Sequence, residues 1–511
     1  MPAEKLRVVI LKPSKYGLNG YVERFRRGFM PNSTVPYMRS MTPAELDGTP
    51  IETICIDEYV HTELDYLQLL SKPEGPTLLA LVGVQSHQFH RSLDLAAFAR
   101  ANGVQHCVIG GPHPMTCDTS ELQHRGVSFA LAEAEMIWLQ ILRDAVRGEL
   151  APAYGGDNRW QTTLEAPVLI PPAPEDLRRY VVSMVGLYPA RGCPFTCNFC
   201  SVIKIAGHRI RSQQIDTTMA SLRAAKAAGV KMVMFTSDNF NKYPEAEELL
   251  RRMIEERIRL PLFVQCDTQV AQQKTLIELL GRAGCFMMFV GVESFNRQTL
   301  LAAHKAQNHP ETYREIVRLC SANRIASHFS NIIGFPADTA AGIREHVSEL
   351  QAIRPDCASF YILTPVPGTQ QYDDYLRAGW INETNLDRFD GTNPTWRHPA
   401  LAAAELRTLL FECYRRFYSI RQILYNIRTN IPMPEVAPSF FTMLGVQLFN
   451  RYAAERRYHP MAGGVGRVER DHVSQYLPLR RERFGCELVP LPQSLELSPQ
   501  DAAFNQAGRA V

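Results

Sequence analysis

The stretch Arg191–Cys200, RGCPFTCNFC, places Cys193, Cys197 and Cys200 within eight residues, with the spacing C-x3-C-x2-C. It directly follows an apolar run, VVSMVGLY, at residues 181–188. The other nine cysteines stand alone, mostly in apolar runs where a free thiol packs as a small hydrophobe. That usage suits a reducing compartment and argues against a disulfide framework.

The spacing of the three cysteines favours an iron–sulfur cluster over the other kinds of cysteine site. Three thiolates from one loop can hold three corners of a four-iron cubane and leave the fourth iron open to a ligand. Structural zinc needs four ligands, and the nearest further candidate, His208, stands alone. A redox dithiol gives the third cysteine no role, and cysteines that merely pack have no reason to share one loop.

The cysteine loop follows the first of six apolar runs that alternate with helical patterns. The runs are VVSMVGLY, VKMVMFT, LPLFVQC, FMMFVGVES, HFSNIIGFP and CASFYIL. Six strand-helix units predict a partial (β/α)6 TIM-like barrel over residues 181–395. Its chemistry is expected at the carboxyl ends of the strands.

The rest of the chain predicts an α/β protein of several domains, as its 511 residues suggest. Short apolar runs alternate with helical patterns over residues 1–150, which predicts a doubly wound, Rossmann-like parallel sheet with ligands beyond the carboxyl ends of its strands. Residues 151–180 are proline-rich and read as a linker. Residues 396–511 predict a mainly helical, partly irregular C-terminal region.

The cysteine loop resembles the signature of the radical S-adenosylmethionine (SAM) superfamily, C-x3-C-x-aromatic-C, with Phe199 as the aromatic residue. The resemblance implies that Cys193, Cys197 and Cys200 bind a 4Fe-4S cluster and that SAM chelates the fourth iron. Reductive cleavage of SAM then gives methionine and a 5'-deoxyadenosyl radical, which abstracts a hydrogen atom from the substrate.

Other SAM contacts follow from the same resemblance. FTSDNF stands after the second strand, where the family often has Gly-Gly-Glu, and offers Asp238 and Asn239. GVES places Glu293 after the fourth strand, and NIIGFP places Ile333 where relatives line the adenine. GHRIRS contains Arg209 and Arg211, which also recur in relatives. Exposed arginines are usually solvated, so these two are weak candidates.

The N-terminal sheet resembles the cobalamin-binding domain of cobalamin-dependent radical SAM enzymes. VIGGPHPM and ALAEAEMIW look like the family's glycine-rich and acidic turns, with Ala132 and Ala134 in place of two glycines. The loop KPSKYGLNG lacks the Asp-x-His-x-x-Gly pattern whose histidine ligates cobalt in other cobalamin proteins. Glycine lets the backbone approach a ligand closely. The candidate cobalamin contacts are Ser14, Gln85, Ser86, Gly110, Gly111 and Glu133.

Together these resemblances imply a cobalamin-dependent radical SAM methyltransferase that acts on an unactivated carbon. A radical SAM oxidative cyclase or rearrangement enzyme would carry the same motifs. A radical SAM enzyme with an empty N-terminal domain is a further alternative. An iron–sulfur sensor or electron-transfer protein is an alternative of another class, although it would need no barrel with a substrate cavity.

Charge and hydropathy limit the partners. With 55 basic and 52 acidic side chains, no global field draws the chain towards nucleic acid, and no nucleic-acid-binding motif is present. No signal peptide or membrane span is evident, which predicts a cytoplasmic protein. The apolar stretch PSFFTMLGVQLFNRY and the arginine-rich residues after it suggest peripheral membrane contact or a cover for the active site. The expected partners are a small-molecule or lipid substrate and a reductant such as flavodoxin or ferredoxin.

Overall fold

Two sheets organise the chain, one of seven strands that is parallel except for one pair and one of six strands that is parallel throughout. A computed structural model describes residues 5–70, 75–156, 159–429, 437–460 and 463–485. Cys486 and residues 487–511 lie outside these residues, whereas the arginine-rich stretch before them is described. The predicted α/β class, with a Rossmann-like sheet, a partial barrel and a helical C-terminal region, is confirmed.

The N-terminal sheet has the strand order of a doubly wound fold. Its chain segment contains β1 (Leu6–Lys12), β2 (Arg24–Gly28), β3 (Glu45–Leu46), β4 (Thr49–Asp57), β5 (Thr77–Leu81), β6 (His106–Gly110), β7 (Ser128–Ala130), β8 (Ala153–Tyr154), α1 (Thr34–Met41), α2 (Tyr66–Leu70), α3 (Phe89–Ala101), α4 (Pro112–Thr116) and α5 (Ala134–Arg147). The order is β3-β4-β1-β5-β6-β7-β8, parallel except for the β3–β4 pair. The strand order reverses between β1 and β5. Such a switch point opens a crevice at the carboxyl ends of the strands.

The central sheet forms the predicted partial barrel. Its segment contains α6 (Pro174–Leu177), β9 (Met184–Leu187), β10 (Ala190–Arg191), α7 (Val202–Ile205), β11 (Arg211–Ser212), α8 (Ile215–Ala227), β12 (Met232–Phe235), α9 (Ala246–Glu255), β13 (Leu262–Cys266), α10 (Lys274–Ala283), β14 (Cys285–Glu293), α11 (Arg297–Ala302), α12 (Tyr313–Ala322), β15 (Ala326–Ile333), α13 (Ala340–Ile353), β16 (Cys357–Ile362) and α14 (Gln370–Arg377). The order β16-β15-β14-β13-β12-β9 is parallel throughout. The six apolar runs of the sequence therefore became these six strands.

Alternation along the barrel strands separates a packed outer layer from a less filled lumen. Helix-facing side chains such as Val264, Val290 and Phe329 are fully buried in the main apolar core. Lumen-facing side chains in the carboxyl half, such as Phe289 and Tyr361, are only partly buried. At the amino end, by contrast, methionine and phenylalanine side chains close the lumen. The open half of the lumen thus lies on the side where chemistry is expected.

The C-terminal region covers the open edge of the barrel. It contains α15 (Ala403–Phe417), α16 (Ile420–Thr429), α17 (Ala437–Glu455), β17 (Gly464–Val468) and α18 (Val473–Phe484). The Phe360 N–H of β16 donates to the Tyr414 hydroxyl (3.0 Å), and the Ala358 N–H donates to the Tyr418 hydroxyl (2.9 Å). These hydroxyls satisfy an edge strand that would otherwise present free backbone groups.

The end of the described chain returns to its beginning. Strand β17 pairs antiparallel with β2, and α18 packs on α3. Beneath these contacts the Glu58 carboxylate is fully buried and accepts from Arg24 (2.7 Å) and Arg91 (2.7 Å). None of the described helices is both long and apolar enough to cross a bilayer.

Candidate functional site

A short hairpin holds the cysteine loop at the carboxyl end of β9. Strands β10 and β11 pair Arg191 with Arg211, and the chain between them carries all three cysteines. The Cys193 N–H donates to the Gly207 carbonyl (3.1 Å), which closes the base of the loop. The two ends of the loop are therefore fixed next to each other, and the residues between them can surround a ligand.

The three thiols converge without forming a site for a single ion. Burial raises the pKa of Cys193 to about 11 and that of Cys200 to about 12, and the thiols lie close enough to raise one another's pKa values. Among the described residues, no three His, Cys, Asp or Glu side chains could hold one metal ion. A cubane cluster binds each thiolate at a different iron, so separated thiols fit a cluster better than a lone ion.

Asp238 and Asn239 follow β12 beside the cysteine loop. Asp238 Oδ2 accepts from the Gly192 N–H (2.7 Å), and burial raises the pKa of Asp238. The Asn239 amide donates to Asp267 (2.7 Å) and also contacts the Cys193 thiol. The structure thus brings both candidate SAM contacts to the loop, where Asp238 also supports the loop backbone.

Glu293 ends β14 in a left-handed backbone conformation (φ 61°) and forms a buried ion pair with Lys305 (2.6 Å). The Lys305 ammonium lies 5.8 Å from the Phe199 ring centroid. Burial alone would lower the pKa of Lys305, but its pKa is raised by Glu293 and by the Cys197 thiol. Gln307 donates to Cys197 Sγ (3.6 Å). Sequence reasoning missed Lys305 and Gln307 because neither belongs to a recognisable motif.

Ile333 and its neighbour Ile332 point to opposite sides of β15. The Ile333 side chain is 1% exposed and packs into the helix-facing core. Ile332 is partly buried beside Phe199 and Phe335. The backbone of this segment reaches the carboxyl edge of the barrel, while the Ile333 side chain does not face the lumen.

A cavity of about 320 Å³ lies between the N-terminal sheet and the cysteine-loop hairpin. Small residues of β5, β6 and the segment after β7, including Gly110 and Ala132, line it together with Trp138 of α5. Gly111 also lines it, at φ 138°, and a Cβ there would lie 2.1 Å from the Val84 backbone nitrogen. Only glycine allows this close approach of two turns. Ala132 and Ala134, which stand where the resembled family has glycines, also border the cavity, and their short side chains fill little of its space.

The six candidate cobalamin contacts divide into two groups. Gly110, Gly111 and Glu133 line the cavity. Ser14 is buried and its hydroxyl donates to the Glu23 carbonyl (2.6 Å). Gln85 is exposed, and the Ser86 hydroxyl contacts His113 Nδ1 (3.0 Å). The lining of the described cavity includes none of Ser14, Gln85 and Ser86, and it includes no histidine.

Glu133 does not present a free carboxylate to the cavity. Arg211, expected to be solvated, is instead 2% exposed and forms a bidentate ion pair with Glu133 (2.6 and 2.8 Å). Arg191 adds a third contact to the same carboxylate (3.2 Å). Arg209, the other weak candidate, is exposed. The sequence could not reveal these pairs because their members are 58 and 78 residues apart.

His328 is a polar residue in the lumen-facing row of β15. Its Nε2 lies 2.7 Å from the Ser359 hydroxyl, and its ring makes an edge contact with Phe289. Its Nδ1 is buried and has no hydrogen-bond partner in the part of the chain that the structure describes. Burial lowers the pKa of His328 to about 4, so the imidazole is neutral near pH 7.

Comparisons with known proteins agree with this geometry. The family profile described as "Radical SAM superfamily" matches residues 187–350. The chain is 28% identical over 326 residues to bacteriochlorophyllide d C-12(1)-methyltransferase of Chlorobaculum tepidum, covering 63% of this chain and 70% of that protein. It is 24% identical over 398 residues to the C-8(2)-methyltransferase of the same organism, covering 73% and 84%.

The fold also matches a solved structure over most of its length. The radical SAM methyltransferase TsrM from Kitasatospora setae, with cobalamin and a [4Fe-4S] cluster bound, superposes with a TM-score of 0.62. The match covers 88% of this chain and 99% of that chain, at 14% identity. At that identity the likeness establishes the shared fold, and the radical SAM resemblance of the cysteine loop agrees with the profile match.

Proposed function

We propose that this chain, whose residues 187–350 match the radical SAM profile, is a cobalamin-dependent methyltransferase acting on an unactivated carbon. One observation carries the proposal. The hairpin that bears the three cysteines also forms a wall of the cavity on the N-terminal sheet, through Arg191. The cluster site and the candidate cobalamin site therefore share a border, as a reaction that uses both cofactors requires.

Cys193, Cys197 and Cys200 would hold the 4Fe-4S cluster, which supplies the electron that cleaves SAM. The donor set fits, because the three thiols share one loop and no fourth protein ligand completes a closed site among the described residues. Gln307 donates to Cys197 and would reduce the charge density on that sulfur once it is a thiolate.

The carboxyl edge of the barrel would bind SAM. The Glu293 carboxylate is held by Lys305 and Ser330, and the Lys305 ammonium in turn lies 5.8 Å from the Phe199 ring centroid. Asp238 and Asn239 border the loop from the β12 side, and the backbone around Ile333 would pass the adenine. We assign these five predicted residues to SAM binding: Phe199, Asp238, Asn239, Glu293 and Ile333.

The cavity on the N-terminal sheet would take part of cobalamin, which supplies the methyl carrier. Its surface of glycine and alanine leaves space that larger side chains would fill, and Trp138 offers an apolar wall. Gly110, Gly111 and Glu133 belong to its lining. We keep three further residues as proposed cobalamin contacts, namely Ser14 in the loop after β1 and Gln85 and Ser86 after β5. With no histidine in the described lining, the chain offers no histidine ligand to cobalt there.

The lumen below the SAM edge would accept a largely apolar small molecule. Phe289, Met234 and Tyr361 supply apolar surface that is only partly buried. His328 would bind a polar group of the substrate, since a buried nitrogen without a partner favours any ligand that supplies one. Tetrapyrroles are the first class to test, because both Chlorobaculum relatives are named for action on bacteriochlorophyllide d.

Two further partners are proposed. A low-potential reductant such as flavodoxin or ferredoxin would deliver the electron to the cluster. Peripheral membrane contact is supported by exposed apolar side chains on the C-terminal helices, with Ile420 and Leu424 on α16 and Leu448 and Tyr452 on α17. Such contact would give the barrel access to a lipid-soluble substrate.

The direct experiment follows the methyl group of SAM without needing the natural substrate. The protein is reconstituted anaerobically with iron, sulfide and hydroxocobalamin, reduced, and given SAM with a deuterated methyl group. We expect the label on the bound corrin, and in bacteriochlorophyllide d a mass gain of one labelled methyl group if that pigment is accepted. A matched sample without hydroxocobalamin should transfer no label.

The other outcomes separate the alternatives. SAM cleavage with no corrin retained would indicate an empty N-terminal domain. A product altered in mass without a gained methyl group would indicate a cyclase or rearrangement enzyme. An intact cluster that never cleaves SAM would indicate a sensor or an electron-transfer protein.

A further inference from the structure

Four charged side chains form a compact cluster between the two domains, which we call the ion-pair cluster. Glu133 and Glu135 stand at the start of α5, whereas Arg191 and Arg211 are paired across the β10–β11 hairpin. Arg211 binds Glu133 through two bonds (2.6 and 2.8 Å). Arg191 reaches both acids, Glu133 at 3.2 Å and Glu135 at 2.7 Å.

The ion-pair cluster is buried and its hydrogen bonds are largely internal. The four side chains are at most 14% exposed. Glu133 also accepts from the Gln161 N–H (2.8 Å), and Arg211 also donates to the Ala206 carbonyl (2.8 Å). Two acids face two bases, so the charges balance. The cluster therefore projects little net charge towards a ligand and leaves no carboxylate oxygen of Glu133 without a protein donor.

Aromatic rings and the loop backbone fix the cluster further. The Arg191 guanidinium lies 5.4 Å from the Tyr37 ring centroid and 5.1 Å from that of Tyr188. The Tyr37 hydroxyl donates to Glu135. The next residue after Arg191 is Gly192, whose N–H is held by Asp238, and Cys193 follows. A shift of Arg191 would thus move the neck of the cysteine loop.

We propose that Glu133, Glu135, Arg191 and Arg211 are positioning residues that hold the cysteine loop at a fixed distance from the N-terminal cavity. The inference rests on the proposed function, in which that distance separates the 4Fe-4S cluster from cobalamin. Three of the four members of the ion-pair cluster line the cavity, namely Glu133, Glu135 and Arg191. Arg191 and Arg211 are paired at the two ends of the cysteine loop. Glu133 accordingly acts through the arginines rather than as a cobalamin ligand.

Geometry of this kind matters because misplacement of reacting groups by about 1 Å can lower a rate by about 100-fold. Removing one member of a buried pair leaves the other charge unpaired, whereas replacing both by apolar residues is often tolerated. The informative variant is therefore the double substitution Glu133→Leu/Arg211→Met, which removes both charges together. Arg223→Met is the matched control, since it breaks an exposed bidentate pair with Glu256 on the outer helices.

The test measures a distance in the reconstituted holoenzyme. With the 4Fe-4S cluster reduced and the corrin as cob(II)alamin, pulsed electron paramagnetic resonance reports the distance between the spin on the iron–sulfur cluster and the spin on cobalt. We expect one narrow distance in the wild type and in Arg223→Met, and a broad distribution in the double variant with iron and corrin contents retained. Transfer of methyl from SAM to the corrin should fall about 100-fold in the double variant.

Two results would overturn the proposal. An unchanged, narrow distance in the double variant would show that the ion-pair cluster does not set the geometry. Loss of corrin at an unchanged cluster signal in Glu133→Gln, with Arg211→Met keeping its corrin, would make Glu133 a cobalamin contact after all.

A measurement on the apoprotein separates this proposal from the proposed function. If the wild type binds no corrin, the proposed function fails, but the coupling of the domains can still be tested by thermal unfolding. We expect one cooperative transition for the wild type and Arg223→Met, and two separated transitions for the double variant. One shared transition in all three proteins would refute the positioning role.

Discussion

The cysteine loop and the N-terminal cavity, which we propose as neighbouring cofactor sites, are encoded in different ways. The three cysteines lie within eight residues of one loop. The cavity is instead lined by segments that range from Thr34 to Asp238. A cluster needs a few ligands of one chemical type, so a short motif suffices. A cavity needs empty space, and small residues from several separate segments create it, of which only the turns VIGGPHPM and ALAEAEMIW resemble a motif.

The largest effect should come from the short motif. Cys197→Ala removes one of three proposed iron ligands, and we expect iron–sulfur absorbance and 5'-deoxyadenosine formation to fall to the background. Anaerobic reconstitution followed by chromatography of the products measures both. Cys55→Ala, in the N-terminal sheet, is the matched control and should keep them. A Cys197→Ala protein that retains full SAM cleavage would contradict the assignment of the loop.

The cavity should instead depend on space. Gly111→Ala places a Cβ 2.1 Å from the Val84 backbone nitrogen at a φ of 138°, so the two turns must separate. We expect loss of corrin binding, with the iron content unchanged. Gly148→Ala is the control, because its φ is 78° but nothing lies within 4 Å of the added Cβ. Equal corrin binding by both variants would show that this contact does not shape the cofactor site.

Buried charge further distinguishes the N-terminal part from the apolar core of the barrel. Burial alone would raise the pKa of Glu58, but Arg91 and Arg24 lower it to about 2. The ion pairs therefore add stability above about pH 4.5, and this stability is lost as the pH falls towards 2.

Glu58→Gln tests that contribution, because it removes the buried charge that faces Arg24 and Arg91. We expect a cost of about 3–5 kcal/mol at pH 7 and a flatter stability profile between pH 4.5 and 2. Chemical denaturation at several pH values measures both quantities. An unchanged slope in the variant would assign the acid sensitivity to other groups.

The smallest expected effect concerns the edge of the barrel. Tyr418→Phe leaves the Ala358 N–H of β16 without its hydroxyl partner in a buried place, at a cost of about 1–3 kcal/mol. The midpoint of denaturant unfolding measures this loss. Tyr425→Phe, in the middle of α16, is the control and should change stability less, because its partly exposed hydroxyl contacts the exposed Arg354 side chain rather than a buried strand. Equal effects would mean that the edge strand is satisfied by another group.

The same contrast explains how far the sequence alone leads. Short apolar runs such as LPLFVQC predicted all six barrel strands, because buried parallel strands read as nearly continuous apolar segments. The cysteine loop and Glu293 were found through local motifs. Gly110 and Gly111 were identified as backbone positions, and the structure adds that Gly111 is required by the neighbouring turn after β5.

The remaining site residues left no local trace. Lys305 was missed because one lysine in an irregular segment looks like surface, and only the fold brings it to Glu293. Arg211 was expected in solvent because its acidic partner, Glu133, is 78 residues away. His328 looked like part of an apolar strand, and its unpartnered nitrogen becomes visible only when the lumen is assembled. Long-range pairing and empty space are properties of packing, so a single sequence does not display them.

In the proposed function, one chain unites a SAM-cleaving 4Fe-4S cluster with a corrin site. The most direct measurement is the yield of 5'-deoxyadenosine together with the bound corrin, after anaerobic reconstitution with iron, sulfide and hydroxocobalamin and reduction in the presence of SAM. We expect retained corrin and formation of 5'-deoxyadenosine in the wild type, and none of that product with Cys197→Ala. An intact cluster that yields no 5'-deoxyadenosine, on a protein that releases all of its corrin, would contradict the proposed function.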